Sequence, residues 1–428
     1  MTTLNLKGLS ILGFVAAAAG LLLVGCASAE VRAARSGDIP GLQEFLAEGG
    51  NVDATDRDGR SLLMVAIENR HFRAADFLLD AGASVHVTDD KGRSPLMYAA
   101  RSDRTQLVEQ ILSLEPDIEA RDNDGKTAFL HAAATDAGRT LSLLVDAGVS
   151  VTVEDFEGMN ALHVAASYGS AGVIPDILDL GFDVHSEATE GRSAMYFALK
   201  ESAGRDAGIS RTVGLLLDAS AEVPIDDNHG AAIAFEAVDS ENVEVLEFLL
   251  DEGLNLYVSG NRGENLLTAS VADPAIVSLL LDFGIEPDLE NRSGDTPLQV
   301  AVEGSHAESV RLLLNAGAYP DPTGSFFDRT TPLMVAAGNN ETEIVRYLAL
   351  SEAEVDAADR DGNTPLHFAA EHGDSELIRV LITAGATVNV TNDNGQTPMD
   401  LAVENERPDS VIEALAAGGA EASQHAVQ

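Results

Sequence analysis

The chain has little basic charge, few aromatic residues and almost no cysteine. Its 428 residues include 26 Lys and Arg against 70 Asp and Glu, which gives a formal net charge of −44. Such a surface repels phosphate, so nucleic acid is excluded as a default partner. The single cysteine, Cys26, excludes a disulfide framework and any cysteine-rich zinc site.

Tryptophan is absent and aromatic residues make up 5%, whereas hydrophobic residues reach 45%. The core is therefore expected to consist of Ala, Leu and Val. No phosphate loop, nucleophile elbow, zinc-protease helix or dinucleotide fingerprint occurs. Aspartate-rich turns such as 56–59 lack the alternating acidic ligands and the later Glu that a calcium loop requires. The sequence predicts a protein that is not an enzyme and has no metal site and no cofactor.

The first residues have the pattern of a secretory signal. An apolar run extends from Leu9 to Ala27, with Lys7 as the only basic side chain before it. The run contains Leu23-Val24-Gly25-Cys26, which resembles the lipobox of bacterial lipoproteins. The resemblance implies a signal peptide over 1–25, lipid attachment at Cys26, a very short tether over 26–29 and, where two membranes exist, sorting to the outer one. Cleavage after Ala29 and an uncleaved anchor helix are the alternatives.

A glycine recurs every 33 residues, at Gly59, Gly92, Gly125, Gly158 and Gly191. This period is typical of a stacked-repeat solenoid. The fullest copy reads Thr364-Pro365-Leu366-His367-Phe368-Ala369-Ala370 and is followed by Leu381-Ile382-Thr383-Ala384-Gly385-Ala386. A Thr before Pro predicts a capped helix start, the Ala pair predicts a close helix contact, and the later Gly predicts a left-handed helix end.

These segments resemble the ankyrin repeat over nearly all of residues 29–420. The resemblance implies a mostly α-helical solenoid of about twelve helix-turn-helix units with short β-hairpin fingers. We expect an array over 30–420 with a capping repeat at 30–57 and a disordered tail at 421–428. The later repeats begin near 58, 91, 124, 157, 190, 229, 262, 293, 328, 361 and 394.

The repeat spacing is irregular at three places, and one of them places Phe326 and Phe327 in a finger that is two residues too long. Phe156 stands at the matching position of an earlier finger, where other copies are polar. Exposed aromatic side chains are common interface anchors. The alternative is that these rings fold back onto the next finger. The insertion near Arg205 is attributed to neutral drift, and a hidden catalytic site there is the alternative.

Basic residues recur in or just after the fingers of the first half of the chain. The repeat spacing should align them along one edge, as a basic strip for an acidic partner. The alternative is that they neutralise finger aspartates such as Asp58, Asp89 and Asp124. The strip consists of Arg57, Arg60, Lys91, Arg93, Lys126 and Arg192.

The resemblance implies a non-catalytic scaffold that binds one or more proteins on its concave face of fingers and inner helices. We expect a monomer that is attached through its N-terminal lipid to a membrane of the bacterial cell envelope, on the periplasmic or extracellular side. The alternative is a secreted effector, released by cleavage after Ala29, that acts on a protein of a host or neighbouring cell.

Overall fold

The computed structural model describes residues 28–204, 210–226, 228–322 and 329–421. The predicted signal peptide, Cys26, Arg205, Phe326, Phe327 and the tail over 422–428 lie outside these residues. The chain divides into two compact units, Met1–Ala194 and Met195–Gln428.

In the first unit, short helices follow one another in pairs. The described residues hold ten helices: α1 Ala29–Ser36, α2 Ile39–Ala47, α3 Leu62–Glu68, α4 Phe72–Asp80, α5 Pro95–Ala100, α6 Thr105–Ser113, α7 Ala128–Ala133, α8 Gly138–Asp146, α9 Ala161–Ser167 and α10 Ile174–Asp179. The first helices of successive pairs pack on one another, and so do the second helices up to α8.

The pairing continues in the second unit, where α11 starts at the boundary. Its described residues hold α11 Ala194–Ala203, α12 Arg211–Asp218, α13 His229–Asp239, α14 Val243–Asp251, α15 Leu266–Ala269, α16 Pro274–Asp282, α17 Pro297–Glu303, α18 Ala307–Asn315, α19 Pro332–Gly338, α20 Thr342–Leu350, α21 Pro365–His372, α22 Ser375–Thr383, α23 Pro398–Glu404 and α24 Asp409–Ala417. Twelve helix pairs are thus present in the described part of the chain, which confirms the helical repeat architecture.

The first helices begin as the sequence predicts. In α5 the Ser94 hydroxyl accepts the backbone N–H of Met97 at 3.4 Å, and Pro95 occupies the first helical position. Thr331 caps α19 in the same way. These hydroxyls satisfy backbone donors that a helix start leaves without partners, so α5 and α19 each have a defined beginning.

The first helices also contain the apolar stripe that joins neighbouring repeats. Leu96, Ala99 and Ala100 of α5 are fully buried, as are Leu366 and Ala369 of α21. Small alanine side chains let helices approach closely, so each stripe is buried against the neighbouring pair as well as its own. Most second helices end before a glycine with positive φ, such as Gly82 at 88°, a conformation that glycine adopts without strain.

The fingers differ from the expected β-hairpins. Within the described residues the fingers form isolated bridges, such as Thr55 with Ser61, and no strands occur. The reason is that an aspartate at the base of the turn takes the backbone donors. The Asp56 carboxylate accepts the N–H groups of Asp58 and Arg60, both at 3.0 Å. Donors that are satisfied inside the turn are not available for a strand ladder.

Neighbouring fingers of the first unit are joined by single backbone hydrogen bonds. Asp90 N–H donates to Asp58 O at 3.0 Å, and Asn123 N–H donates to Lys91 O at 2.9 Å. Phe156 N–H then donates to Asp124 O at 3.0 Å. This series fixes the register of the fingers, so side chains that are one period apart in sequence lie beside one another.

Histidines in the first turn of two helices connect a helix cap to the following finger. His367 Nδ1 accepts the Thr364 N–H at 3.1 Å, which places the proton on Nε2, and Nε2 donates to Gln396 O at 3.1 Å. His163 makes the matching contacts with Asn160 and Ser186. Gln299 occupies the same position in α17 and accepts from Thr296 N–H at 2.9 Å. The bridge therefore requires one acceptor and one donor, and not an imidazole as such.

Burial lowers the pKa of His367 below the ordinary value of 6.5. The unfolded chain therefore binds more protons than the folded chain as the pH falls below 6.5, and stability that is present above this pH is lost below it. His367→Gln keeps an acceptor and a donor at this position. When the pH is lowered from about 7.5 to about 5.5, we expect the free energy of unfolding of this variant to fall by less than that of the wild type. Urea unfolding midpoints at the two pH values test this. His86→Gln, at an exposed loop position, is the control, and equal losses in all three proteins would contradict the prediction.

Candidate functional site

In several fingers an aspartate at the base of the turn organises the charged side chains around it. Asp89 Oδ1 accepts the backbone N–H groups of Lys91 and Arg93 at 2.9 and 2.8 Å. Asp89 Oδ2 accepts the Arg93 guanidinium at 2.7 Å and the Tyr98 hydroxyl at 2.7 Å. Burial raises the pKa of the Asp89 carboxyl, but the hydrogen bonds outweigh burial, and its pKa lies below the ordinary value. The carboxylate is therefore a buried negative charge with its partners in place.

The next finger has the same frame with different side chains. Asp122 Oδ1 accepts the backbone N–H groups of Asp124 and Lys126 at 3.0 and 2.8 Å. Its Oδ2 lies 2.8 Å from His131 Nε2, at the position that Tyr98 has relative to Asp89. Burial raises the pKa of Asp122, and the hydrogen bond from His131 contributes most to lowering it below the ordinary value. His131 lies one position after the helix site that His163 and His367 occupy in their own repeats. Its contact with Asp122 gives it a structural role.

Lys126 lies 33 residues after Arg93 but does not repeat its ion pair. Its ammonium is 4.0 Å from Asp155 Oδ2, in the following finger, and 5.6 Å from the centre of the Tyr168 ring. Lysine has one terminal nitrogen, whereas the guanidinium fork of Arg93 reaches its own finger carboxylate through two. The Lys126 charge therefore points away from its own turn and toward an aromatic face, where a cation is favoured.

These side chains line a groove of about 390 Å³ between the fingers and the ends of the first helices α5, α7 and α9. We call it the basic groove, and it is lined by Lys91, Arg93, Arg101, Lys126 and Tyr168 together with the carboxylates of Asp122 and Asp124. Within the described residues of this unit, no carboxylate lies within 4.0 Å of the Lys91 ammonium or the Arg101 guanidinium. Two of the four cations thus have no local ion pair, in a chain whose net charge is −44.

The structure separates the residues of the predicted basic strip. Lys91, Arg93 and Lys126 line the basic groove. Arg60 instead forms ion pairs with Asp56 at 2.7 Å, Asp58 at 2.9 Å and Glu68.

Two further members of the strip lie outside this groove. Arg192 lies 3.4 Å from Glu190 and donates to Thr189 O at 3.0 Å. Arg57 is exposed on an earlier finger. Three members of the predicted strip, Lys91, Arg93 and Lys126, therefore line the basic groove, whereas Arg60 and Arg192 lie against acidic side chains.

Phe156 lies on a finger, as the sequence suggests, and is 71% exposed. One edge of its ring lies over Gly125 of the preceding finger, where an added Cβ would be 2.8 Å from Phe156 Cδ1. The ring thus contacts a neighbouring finger and still presents most of its surface to solvent. The other candidates, Cys26, Phe326 and Phe327, lie outside the described residues.

Sequence reasoning missed two groove residues, Arg101 and Tyr168. Both follow the Ala pair of a first helix, as the caps of α5 and α9, and Tyr168 is 53% exposed. Their position in the repeat could have identified them from the sequence, because a residue at the end of a first helix faces the fingers. Among the described residues, no group of three or more His, Cys, Asp or Glu could hold a metal ion. No helix in the same residues is long and apolar enough to span a bilayer.

Comparison with known families identifies the repeats. A family model described as ankyrin repeats (3 copies) matches residues 31–122, 105–188, 234–324, 266–359, 317–392 and 333–425. The chain belongs to the ankyrin-repeat family. Ankyrin repeats are generally non-catalytic interaction modules, so membership indicates a protein–protein interaction scaffold.

Individual relatives resemble parts of the chain. A putative ankyrin repeat protein of fowlpox virus, FPV014, is 29% identical over 134 residues, which are 31% of this chain and 30% of that protein. Glycerophosphocholine phosphodiesterase gde1 of Schizosaccharomyces pombe is 35% identical over 127 residues, 29% of this chain and 11% of that protein. The Notch-regulated ankyrin repeat-containing protein of Xenopus tropicalis is 32% identical over 97 residues, 21% of this chain and 85% of that protein. The chain thus spans less than a third of the first two.

Tyr98 and Tyr168 should contribute differently to stability. Tyr98 is buried and donates to the Asp89 carboxylate, so Tyr98→Phe removes a partner of a buried charge and should lower the free energy of unfolding by roughly 1–2 kcal/mol. Tyr168→Phe, at an exposed ring, should change it by less than about 0.5 kcal/mol. Urea denaturation of both variants tests this. Equal destabilisation would show that Tyr168 supports the fold rather than the groove surface.

Proposed function

We propose that the chain is a non-catalytic scaffold that holds an acidic segment of a protein partner in the basic groove. The observation that carries the proposal is the cluster of Lys91, Arg93, Arg101 and Lys126 beside the exposed ring of Tyr168. Arginine and tyrosine are enriched among residues that dominate binding energy. Carboxylates of the partner would pair with these cations in place of ions from the solvent, and the Tyr168 ring would offer an apolar surface between them.

The negative charge of the whole chain does not prevent this binding. Charges in solution are screened over about 8 Å at physiological ionic strength. The groove lining holds four cations against the two carboxylates of Asp122 and Asp124, and Asp122 is already engaged by His131. The local charge is therefore positive, and the more distant acidic residues mainly slow the approach of a segment. The rigid frame also helps, because fingers joined by backbone hydrogen bonds lose little freedom when a partner binds.

The groove predicts a site-specific cross-link. A photo-crosslinking amino acid at Thr135, which lines the groove, should capture in intact cells a protein whose cross-linked peptide is acidic. The same probe at Ser142, exposed on α8, is the positional control. Charge reversal in Lys91→Glu/Lys126→Glu should reduce capture about tenfold or more, because repulsion replaces attraction at the contact.

Arg57→Glu is the matched charge control, since Arg57 is exposed on an earlier finger outside the groove. It should leave capture at the wild-type level. Equal capture by the groove variant and the wild type, or cross-linking to a basic peptide, would contradict the assignment of the groove.

We further propose that the scaffold is attached to a membrane of the bacterial cell envelope through a lipid on Cys26. The support is the apolar run ending in Leu23-Val24-Gly25-Cys26. Cleavage after Ala29, the alternative for a secreted effector, would remove Ser28, whose carbonyl oxygen accepts the Arg32 N–H at 3.0 Å. Cleavage before Cys26 keeps this first turn of α1 and leaves two residues between Cys26 and the helix. The first repeat would then lie about 10 Å from the lipid, within the reach of an extended tether.

The anchor is tested by labelling. The wild-type chain expressed in a bacterium with a lipoprotein pathway should incorporate a labelled fatty acid and remain with the membrane fraction. Cys26→Ser removes the thiol that would carry the lipid and should abolish the label. Ser28→Cys on that background is the matched control, because it restores a thiol at the wrong position. An unlabelled wild-type chain that begins at Glu30 would instead support the secreted alternative.

A further inference from the structure

A second groove lies on the second helices of the other unit. Helices α20 and α22 form an open groove of about 470 Å³, lined by Leu350, Arg379, Val380 and Thr383 and by the ion pair of Arg346 with Glu376. The basic groove is formed by fingers and first helices of Met1–Ala194, whereas this groove is formed by second helices of Met195–Gln428. It is therefore a separate surface, and we call it the Leu350 groove.

Leu350 departs from the pattern of its position. It is the last residue of α20 and is 82% exposed. The neighbouring second helices α18 and α22 end in polar residues at the corresponding position, Asn315 and Thr383. Because Leu350 is largely exposed, its side chain contributes little to the core. Exposed apolar side chains within a groove mark interaction sites more often than isolated ones do.

Arg311, Arg346 and Arg379 occupy the same position in successive second helices, but their ion-pair partners differ. Arg311 pairs with Glu308 of its own helix. In α20 the corresponding Glu343 accepts the Tyr347 hydroxyl at 2.7 Å. Arg346 instead reaches across to Glu376 of α22 at 2.8 Å.

Arg379 is the residue affected by this shift. Glu376, three residues before it on α22, is engaged by Arg346. In the described part of the unit, no carboxylate lies within 4.0 Å of the Arg379 guanidinium. The groove thus places an arginine without an ion pair beside the apolar surface of Leu350 and Val380.

We infer that the Leu350 groove is a docking surface for a protein segment that presents an aliphatic side chain next to a carboxylate. The aliphatic side chain packs on Leu350 and Val380, and the carboxylate accepts from both arms of the Arg379 fork, the geometry in which arginine binds carboxylates best. A second copy of this chain fits poorly as the occupant, because two chains that each have a net charge of −44 repel one another.

The test uses a random 12-residue peptide library displayed on phage, selected on the full chain and counter-selected on Leu350→Asp. We expect the enriched peptides to share Leu, Ile, Val or Phe beside Asp or Glu. A synthetic peptide of that sequence should bind Leu350→Asp and Arg379→Glu at least about tenfold more weakly than the wild type. Replacing its acidic residue by Lys should restore binding to Arg379→Glu, which a merely structural effect would not do.

Arg311→Glu is the matched control, since Arg311 has the same helical position outside the groove and its own partner Glu308. It should bind the peptide like the wild type. Circular dichroism melting verifies that the variants fold, which the exposure of Leu350 leads us to expect. The proposal is overturned if no peptides distinguish the wild type from Leu350→Asp or if the enriched peptides lack acidic residues. It is also overturned if sedimentation shows a wild-type dimer that Leu350→Asp dissociates, because the occupant would then be a second copy.

Discussion

The structure depends on the fact that no repeat can bury its own apolar face. Leu96, Ala99 and Ala100 are fully buried only because neighbouring helix pairs cover them. This constraint fixes the distance between repeats and thereby the distance between fingers. Once the fingers are in register, backbone hydrogen bonds such as Asn123 N–H to Lys91 O join them at 2.9 Å. Residues that are one period apart in sequence become neighbours, and both grooves are built from such neighbours.

Arg93 and Arg311 each pair with a carboxylate of their own finger or helix, so the informative cations are those whose corresponding partner is taken. Asp122 is engaged by His131, and Lys126 lies toward Tyr168 and the next finger. Glu376 is engaged by Arg346, and Arg379 is left beside Leu350. In both cases a substitution at one repeat position shifts the ion pair of another. A repeat protein acquires specific surfaces in this way while its core pattern remains unchanged.

Much of the fold follows from local chemistry that is visible in the sequence. A Ser or Thr before Pro satisfies a backbone donor, and a glycine after most second helices takes positive φ. The fingers show the limit of this reasoning. The family resemblance implied β-hairpins there, but the side chain of Asp56 takes the backbone donors that a ladder needs. The competition between a side chain and a strand is decided by geometry that composition does not contain.

The sequence by itself determined the repeat, its period, the caps and the set of basic residues near the fingers, because each depends on residue type and spacing along the chain. Only the tertiary structure decided which of these cations have partners. Arg60 and Lys126 occupy the same repeat position, yet one is held by three carboxylates and the other lies over an aromatic ring. That difference depends on distances of a few ångströms between side chains from different repeats, and these distances are set by packing.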